Sequence, residues 1–224
     1  MAAVRALASV LAALLAASSL PCAAAPFAVQ VGEARIGLDA PPGFADTTAT
    51  GSPRLQELGE ATTSASNRVL LFAVSDADLR RFTLGDPLEL RRYMVVVTPR
   101  AIERERMSES AFQAFAGGSL RELGPVSGAA DYQKYLDSRP VGAVSTLAEL
   151  RKDPDAVAML QGSRSKGGFL QSSKFVLSST SLVLLRGKAL TLSIFTQYDD
   201  PADLEWIRNA TARWIDELKR LNSR

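Results

Sequence analysis

The chain contains no histidine and a single cysteine, Cys22. Without imidazole there is no Ser-His-Asp or Cys-His nucleophile and no His-ligated zinc or haem, and without a second thiol there is no CxxC exchange and no internal disulfide. Any catalysis would have to use carboxylate, lysine, tyrosine or serine. No glycine-rich nucleotide loop occurs. The acidic groups Asp76/Asp78, Asp153/Asp155 and Asp199/Asp200/Asp203 lack the twelve-residue ligand pattern, turn glycine and closing glutamate of a calcium loop. The sequence therefore implies no metal and no cofactor. Charge of one sign is also lacking: 26 Lys+Arg face 24 Asp+Glu, net +2, so nothing global steers the chain to nucleic acid or to an anionic membrane.

Long apolar runs are scarce, and the one present lies at the start. Arg5 precedes an uncharged apolar stretch, Ala6 to Leu20, which Pro21 breaks and small residues follow, the pattern of a secretory signal peptide. At about 15 residues it is shorter than the roughly 20 a membrane span needs. A cut after Ala24 places Cys22 and Ala24 at the small-residue positions and avoids Pro26 directly behind the scissile bond. Ser19, Leu20 and Pro21 lack the small residue expected before a lipid-modified cysteine. We expect residues 1–24 to be a signal peptide and 25–224 a single exported α/β domain, periplasmic or secreted, with no membrane span. Loss of Arg5 with the leader leaves a net charge of +1. The remaining chain can bury one core without staples.

Alternation over Phe27, Val29, Val31 and over Ala34, Ile36, Leu38, with Gly32-Glu33 between, predicts a β-hairpin ended by Pro41-Pro42-Gly43. Ser52-Pro53 predicts a helix start, with Leu55 and Leu58 on its apolar face to about Thr62. Arg68–Val74 and Tyr93–Thr98 read as buried strands. A short helix is expected around Asp76–Phe82, and one more turn at Asp86-Pro87. Ser108 or Ser110 opens an amphipathic helix carrying Phe112, Phe115, Leu120 and Leu123, stopped by Gly124-Pro125; its Gly117-Gly118 pair suggests close packing on a sheet. A shorter helix is expected over Ala129–Leu136. Residues 139–168 lose periodicity and read as the least ordered region, with a brief helix capped by Thr146…Glu149 and a turn after Asp153-Pro154.

The C-terminal third predicts a three-stranded meander (Phe169–Leu177, Thr180–Arg186, Ala189–Tyr198) with Gly187-Lys188 as its second turn and Leu190, Leu192, Ile194, Thr196 and Tyr198 on one face. Asp200-Pro201 with Asp203 starts a long helix, whose stripe of Trp206, Ile207, Ala210, Trp214, Ile215, Leu218 and Leu221 reads as core. Together these elements predict an α/β (α+β) fold, an antiparallel or mixed central sheet covered by helices.

Chemistry-bearing motifs are few. Ser163-Arg-Ser-Lys166 matches the serine–lysine tetrad of penicillin-binding enzymes, yet Lys-Thr-Gly and Ser-x-Asn companions are missing, and Gly162, Gly167 and Gly168 suggest a flexible loop. Arg164 and Lys166 on that loop could contact an anionic partner. Arg80-Arg81, Arg91-Arg92 and Arg100…Arg104…Arg106, interleaved with acids, read as solvated faces. Asn209-Ala-Thr211 is a glycosylation sequon only in form, inside a helix.

The order of hairpin, Pro41-Pro-Gly-Phe44, central strands with helices, strand hairpin and Trp-bearing terminal helix resembles the PsbP-like α/β/α sandwich of exported accessory proteins. The stretch from Ala65-Ser-Asn-Arg-Val-Leu-Leu-Phe to Arg92-Tyr-Met-Val-Val-Val-Thr-Pro is similar to exported proteins of proteobacteria. The resemblance implies a non-catalytic binding or assembly role in the cell envelope, toward an envelope protein or a small ligand. The competing expectation is a small hydrolase using carboxylates or Ser163/Lys166.

Overall fold

The computed structural model describes residues 26–165 and 174–223. The predicted hairpin is present as β1 (Phe27–Val31) and β2 (Ala34–Leu38), paired antiparallel. Gly32 sits at φ 55°, the left-handed first position that a II′ turn requires and glycine supplies. A separate seven-stranded sheet follows, with every neighbouring pair antiparallel. Its strands are β3 (Phe44–Asp46), β4 (Asn67–Ser75), β5 (Arg92–Pro99), β6 (Val144–Asp153), β7 (Ala156–Arg164), β8 (Phe175–Leu185) and β9 (Lys188–Gln197), in the order β3-β4-β5-β9-β8-β7-β6. The helices are α1 (Pro53–Ala61), α2 (Asp76–Thr83), α3 (Glu109–Glu122), α4 (Tyr132–Asp137) and α5 (Pro201–Asn222). The fold is the expected α+β one, and of the two sheet types expected, antiparallel or mixed, it has the antiparallel.

Both faces of the sheet are covered. On the front, Met94 and Val96 of β5, Leu190, Leu192 and Ile194 of β9, and Leu177, Val183 and Leu185 of β8 join Ile207, Trp214, Ile215 and Leu218 of α5, the β1–β2 hairpin and Leu136 of α4 in one core. On the back, Leu55 of α1 meets Phe72, Val74, Val95 and Val97, with Leu79 and Phe82 of α2 beside them, while Phe112 and Ala116 of α3 cover Val157, Leu182 and Ala189. Helix α5 starts as its sequence dictates. Asp200 accepts from Ala202 N (2.7 Å) and Asp203 N (3.3 Å), Asp203 returns the contact to the Asp200 N–H (3.4 Å), and Pro201 takes the first turn. The helix fastens the hairpin at its other end, where Asn222 accepts from Gly37 N and donates to Gly37 O, both at 2.8 Å. A Cβ on Gly37 would lie 2.9 Å from Leu221, so only glycine allows this approach.

Residues 139–164 depart most from expectation. They form β6 and β7, two long paired strands, rather than a loosely ordered segment. Thr146 does not cap a helix with Glu149; its Oγ1 donates to Leu123 O at 2.7 Å, joining the strand to the end of α3. Gly162 is not a loop residue either. A Cβ there would fall 2.8 Å from Leu147 and 2.9 Å from Leu136, so glycine is a packing requirement of β7 under α4. Asp153 and Asp155 cap no helix: they flank the β6–β7 turn, pairing with Arg151 (2.5 Å) and Lys219 (2.6 Å).

Smaller departures come from polar residues inside strands and from side chains that hold connections and helix starts. Ser178-Ser179-Thr180 reads as a break, but β8 runs straight through it: the Ser179 hydroxyl is buried and meets that of Thr211 on α5 at 2.7 Å, and Thr180 Oγ1 donates to Gln161 (3.1 Å). The described part of the predicted three-stranded meander is therefore a single hairpin of β8 and β9, and its residues 169–173 lie outside the described residues. The turn falls at Arg186-Gly187, both at positive φ, and Lys188 is a buried strand residue whose Nζ donates to Glu103 O (3.0 Å) and Glu105 O (2.6 Å). Asp86-Pro87 starts no helical turn; this connection is held open by Asp78, which accepts from Glu89 N at 3.2 Å. The shorter helix starts later than Ala129, at Tyr132, because Asp131 caps it by accepting from Lys134 N at 3.0 Å.

Gly117 and Gly118 do not mark close packing. A Cβ on either meets nothing within 4 Å, so each glycine only loosens α3. Gly117→Ala and Gly118→Ala should each stabilise the fold by about 0.5–1 kcal/mol, read as a Tm higher by roughly 1–4 °C in a domain of this size. A lowered Tm would show that the positions are in contact after all.

Candidate functional site

A cleft on the back of the sheet follows from a mismatch in strand length. The three residues of β3 pair only with Ala73–Ser75, so the flank of β4 from Asn67 to Phe72 has no strand beside it. Beyond Asp46 the chain leaves the sheet. Thr47 N and Oγ1 donate to Phe72 O at 2.8 and 2.9 Å, the Asp46 carboxylate accepts from Phe72 N (3.3 Å) and from the Thr48 hydroxyl, and a 3-10 turn over Thr48–Thr50 leads into α1. Helix α1 then lies against the uncovered flank. It approaches closely at one point, Gly59, where a Cβ would be 3.1 Å from Phe72.

Between α1, the 61–65 loop and β4 remains a cleft of about 620 Å³, within the usual range of small-molecule sites. Its floor is Leu55, Val69 and Phe72; its rim carries Thr48, Ser52, Gln56, Thr63 and Ser64, with Arg68 and Arg100 at the far end. Ser52 stands at the N-cap of α1 without capping it, which leaves its hydroxyl for the rim. Arg68 is engaged by the Glu103 carboxylate and by Gln30 O. Arg100 is positioned by its backbone N–H to Ser66 O (2.9 Å) and its Nε to Asn67 O (3.2 Å). Among the described residues it has no ion-pair partner, and Glu60, held by Gln56 at 3.1 Å, is the cleft's one carboxylate.

A second cavity of about 210 Å³ opens on the other side of α1, lined by Leu58, Thr62, Leu90, Tyr93 and Phe195. Tyr93 stacks on Phe195 at 4.6 Å, and burial pushes its phenol up to about 12, so the hydroxyl stays neutral near pH 7 and offers no base. On the front, Phe44, Trp206, Met94 and Pro42 line a groove of about 430 Å³ with Asp216 and Glu217 at its edge. Those two acids are successive on α5 and so point about 100° apart, and Asp216 is already held by Arg151 at 2.6 Å.

The residues singled out in the sequence do not assemble. Ser163 and Arg164 lie on β7, paired with Val176 and Phe175 rather than on a mobile loop, and Lys166 lies outside the described residues. Arg164 faces Asp137 at 3.6 Å, where Lys174 at 2.7 Å compensates the same carboxylate and, by its hydrogen bond, holds it below the usual range. Arg91 is exposed, as a solvated face requires, but Arg92 is not: both pair with the buried Asp203, and Arg92 lies over the Trp206 ring at 4.2 Å. The sequence reading missed Arg100, which it placed on a solvated face. No local signal marks it, because only the pairing of Asn67 with Pro99 brings it to the cleft. Among the described residues no cluster of three acidic, thiol or imidazole groups could hold a metal, and no helix is long and apolar enough to cross a membrane. The leader predicted for residues 1–24 lies outside the described residues.

No protein-family model matches the chain, and no curated protein matches it. Among solved structures it is similar to the Ran-binding protein Mog1p of Saccharomyces cerevisiae, at 15% identity over 88% of this chain and 93% of that one, with a TM-score of 0.39. A likeness at that level transfers no site.

Proposed function

We propose that the chain is an exported, non-catalytic binding protein of the cell envelope, periplasmic or secreted once residues 1–24 are removed, and that it holds a small ligand in the cleft between α1 and β4. The observation that carries the reading is the cleft itself: an apolar floor, a polar rim and a fixed guanidinium, with a single carboxylate where a glycosidase-type hydrolase needs two. The PsbP-like resemblance of the element order supports an accessory role, and the leader-like start supports export.

The hydrolase reading makes the opposite demand, a serine next to an unprotonated base. Fluorophosphonate and β-lactam probes are therefore expected to leave Ser163 unlabelled, while a small-molecule library followed by amide NMR is expected to move the signals of Leu55, Gly59, Val69 and Phe72. Stoichiometric labelling of Ser163 that Lys166→Ala abolishes would install the hydrolase instead. A library that leaves the cleft signals still would remove the ligand site.

A further inference from the structure

Taking the cleft as a ligand site, its chemistry selects among ligands. Leu55 and Phe72 are each 1% exposed and back the bottom of the cleft, whose open apolar surface is that of half-buried Val69 and exposed Ala61 and Ala65. Burial of apolar ligand surface on such a surface is the main source of affinity for small molecules. The polar groups around it are largely committed. Arg68 is neutralised by Glu103, Gln56 holds Glu60, Thr63 accepts from Asn67 Nδ2 at 2.8 Å, and Ser64 and Ser66 hydroxyls meet at 3.0 Å.

One strong group is left over. Arg100 spends its Nε on Asn67 O, which fixes the plane of the guanidinium, and among the described residues its two terminal nitrogens have no partner. The remaining fork is planar and carries one positive charge, which matches a planar, singly charged carboxylate in two parallel hydrogen bonds. A doubly charged phosphate would leave one charge uncompensated.

We propose that the α1–β4 cleft binds an amphipathic monocarboxylate, an aliphatic or aromatic acid whose apolar body lies on Val69, Ala61 and Ala65 and whose carboxylate pairs with Arg100. Charge selects the head and the floor selects the body, so short polar acids and neutral apolar molecules both bind less well.

Calorimetric titration of the full chain with decanoate and 4-phenylbutyrate tests this, with methyl decanoate, acetate and decyl phosphate as comparators. Decanoate is expected to bind at least tenfold more tightly than its methyl ester, than acetate and than decyl phosphate. Arg100→Ala, at an exposed side chain, should weaken decanoate at least tenfold and the ester by less than twofold. Gln56→Trp, on the exposed rim of α1, should block all of them. Equal binding of acid and ester, tighter binding of decyl phosphate, or an unchanged Arg100→Ala affinity would overturn the proposal. If other library compounds still move the cleft signals in that case, the binding-protein reading survives while the carboxylate assignment falls; if none does, both fall.

Discussion

Trp214→Ala is expected to destabilise the protein by about 3–5 kcal/mol, the usual cost of deleting a buried tryptophan and leaving a cavity. The side chain is 1% exposed, between Ala210 and Leu218 on the buried stripe of α5. It also works as a polar tie. Trp214 Nε1 donates to Asp39 O at 2.9 Å, so truncation leaves the residue that follows β2 without its donor and loosens the hairpin from the helix. The loss is a large part of the stability of a domain of this size. Urea denaturation followed by tryptophan fluorescence from Trp206 would measure it, and a change below about 1 kcal/mol would mean that the α5 stripe is not the core. Trp214→Phe keeps most of the volume and should recover more than half.

The second large effect belongs to Asp203. The residue is 2% exposed, closes the α5 capping box and takes Arg92 at 2.8 Å and Arg91 at 3.4 Å. Asp203→Ala removes the cap and leaves Arg92, pressed on Trp206, without its carboxylate, while half-exposed Arg91 keeps Asp199 at 2.8 Å, at an expected cost of about 3 kcal/mol. Burial alone would raise this carboxyl. The hydrogen bond from Arg92, the N–H groups of Asp199 and Asp200 and the charge of Arg91 together outweigh it and hold the carboxyl below its ordinary value. A carboxyl depressed in the fold contributes stability that is complete above its unfolded pKa of about 4 and is lost as pH falls through the folded value. Wild-type Tm should therefore fall below about pH 4, and Asp203→Asn should flatten part of that fall. Asp39 runs the other way: burial first, then Glu217, raise its carboxyl, and its Oδ1 has no hydrogen-bond partner. The wild-type minus Asp203→Asn difference cancels that contribution and isolates Asp203.

What the sequence made legible was whatever local rules decide. The II′ turn at Gly32, the Asp200–Asp203 capping box, the Ser108 cap of α3 and the alternation of Leu190, Leu192 and Ile194 each follow from neighbours a few residues away, and the structure has all of them. What it concealed depends on partners far along the chain. Residues 144–164 are strands because β6 and β7 zip together and against β8, not because their composition alternates. Ser179 and Gln161 are tolerated inside a sheet because Thr211 and Thr180 satisfy them. The cleft was illegible for the same reason: its floor comes from α1 and β4, and its cation from the end of β5. A candidate site built from the tetrad Ser163 to Lys166 instead relied on adjacency in sequence, which strand pairing does not respect.

The place of β9 also governs how the chain can be assembled. Strands β6 to β9 form a local meander of successive antiparallel pairs, whereas the seam that joins this meander to β3–β5 pairs Val95 with Ser193 and Tyr93 with Phe195. Closing a loop of that span is slow compared with zipping a hairpin. During synthesis the β5 edge, Met94-Val-Val-Val97, therefore stays open until residues 191–196 have emerged, and an open apolar strand edge is a template for pairing with other chains. A nascent or truncated chain lacking β9 is thus a species to be kept unfolded or chaperoned, and β9 acts as the latch that turns two sticky half-sheets into one.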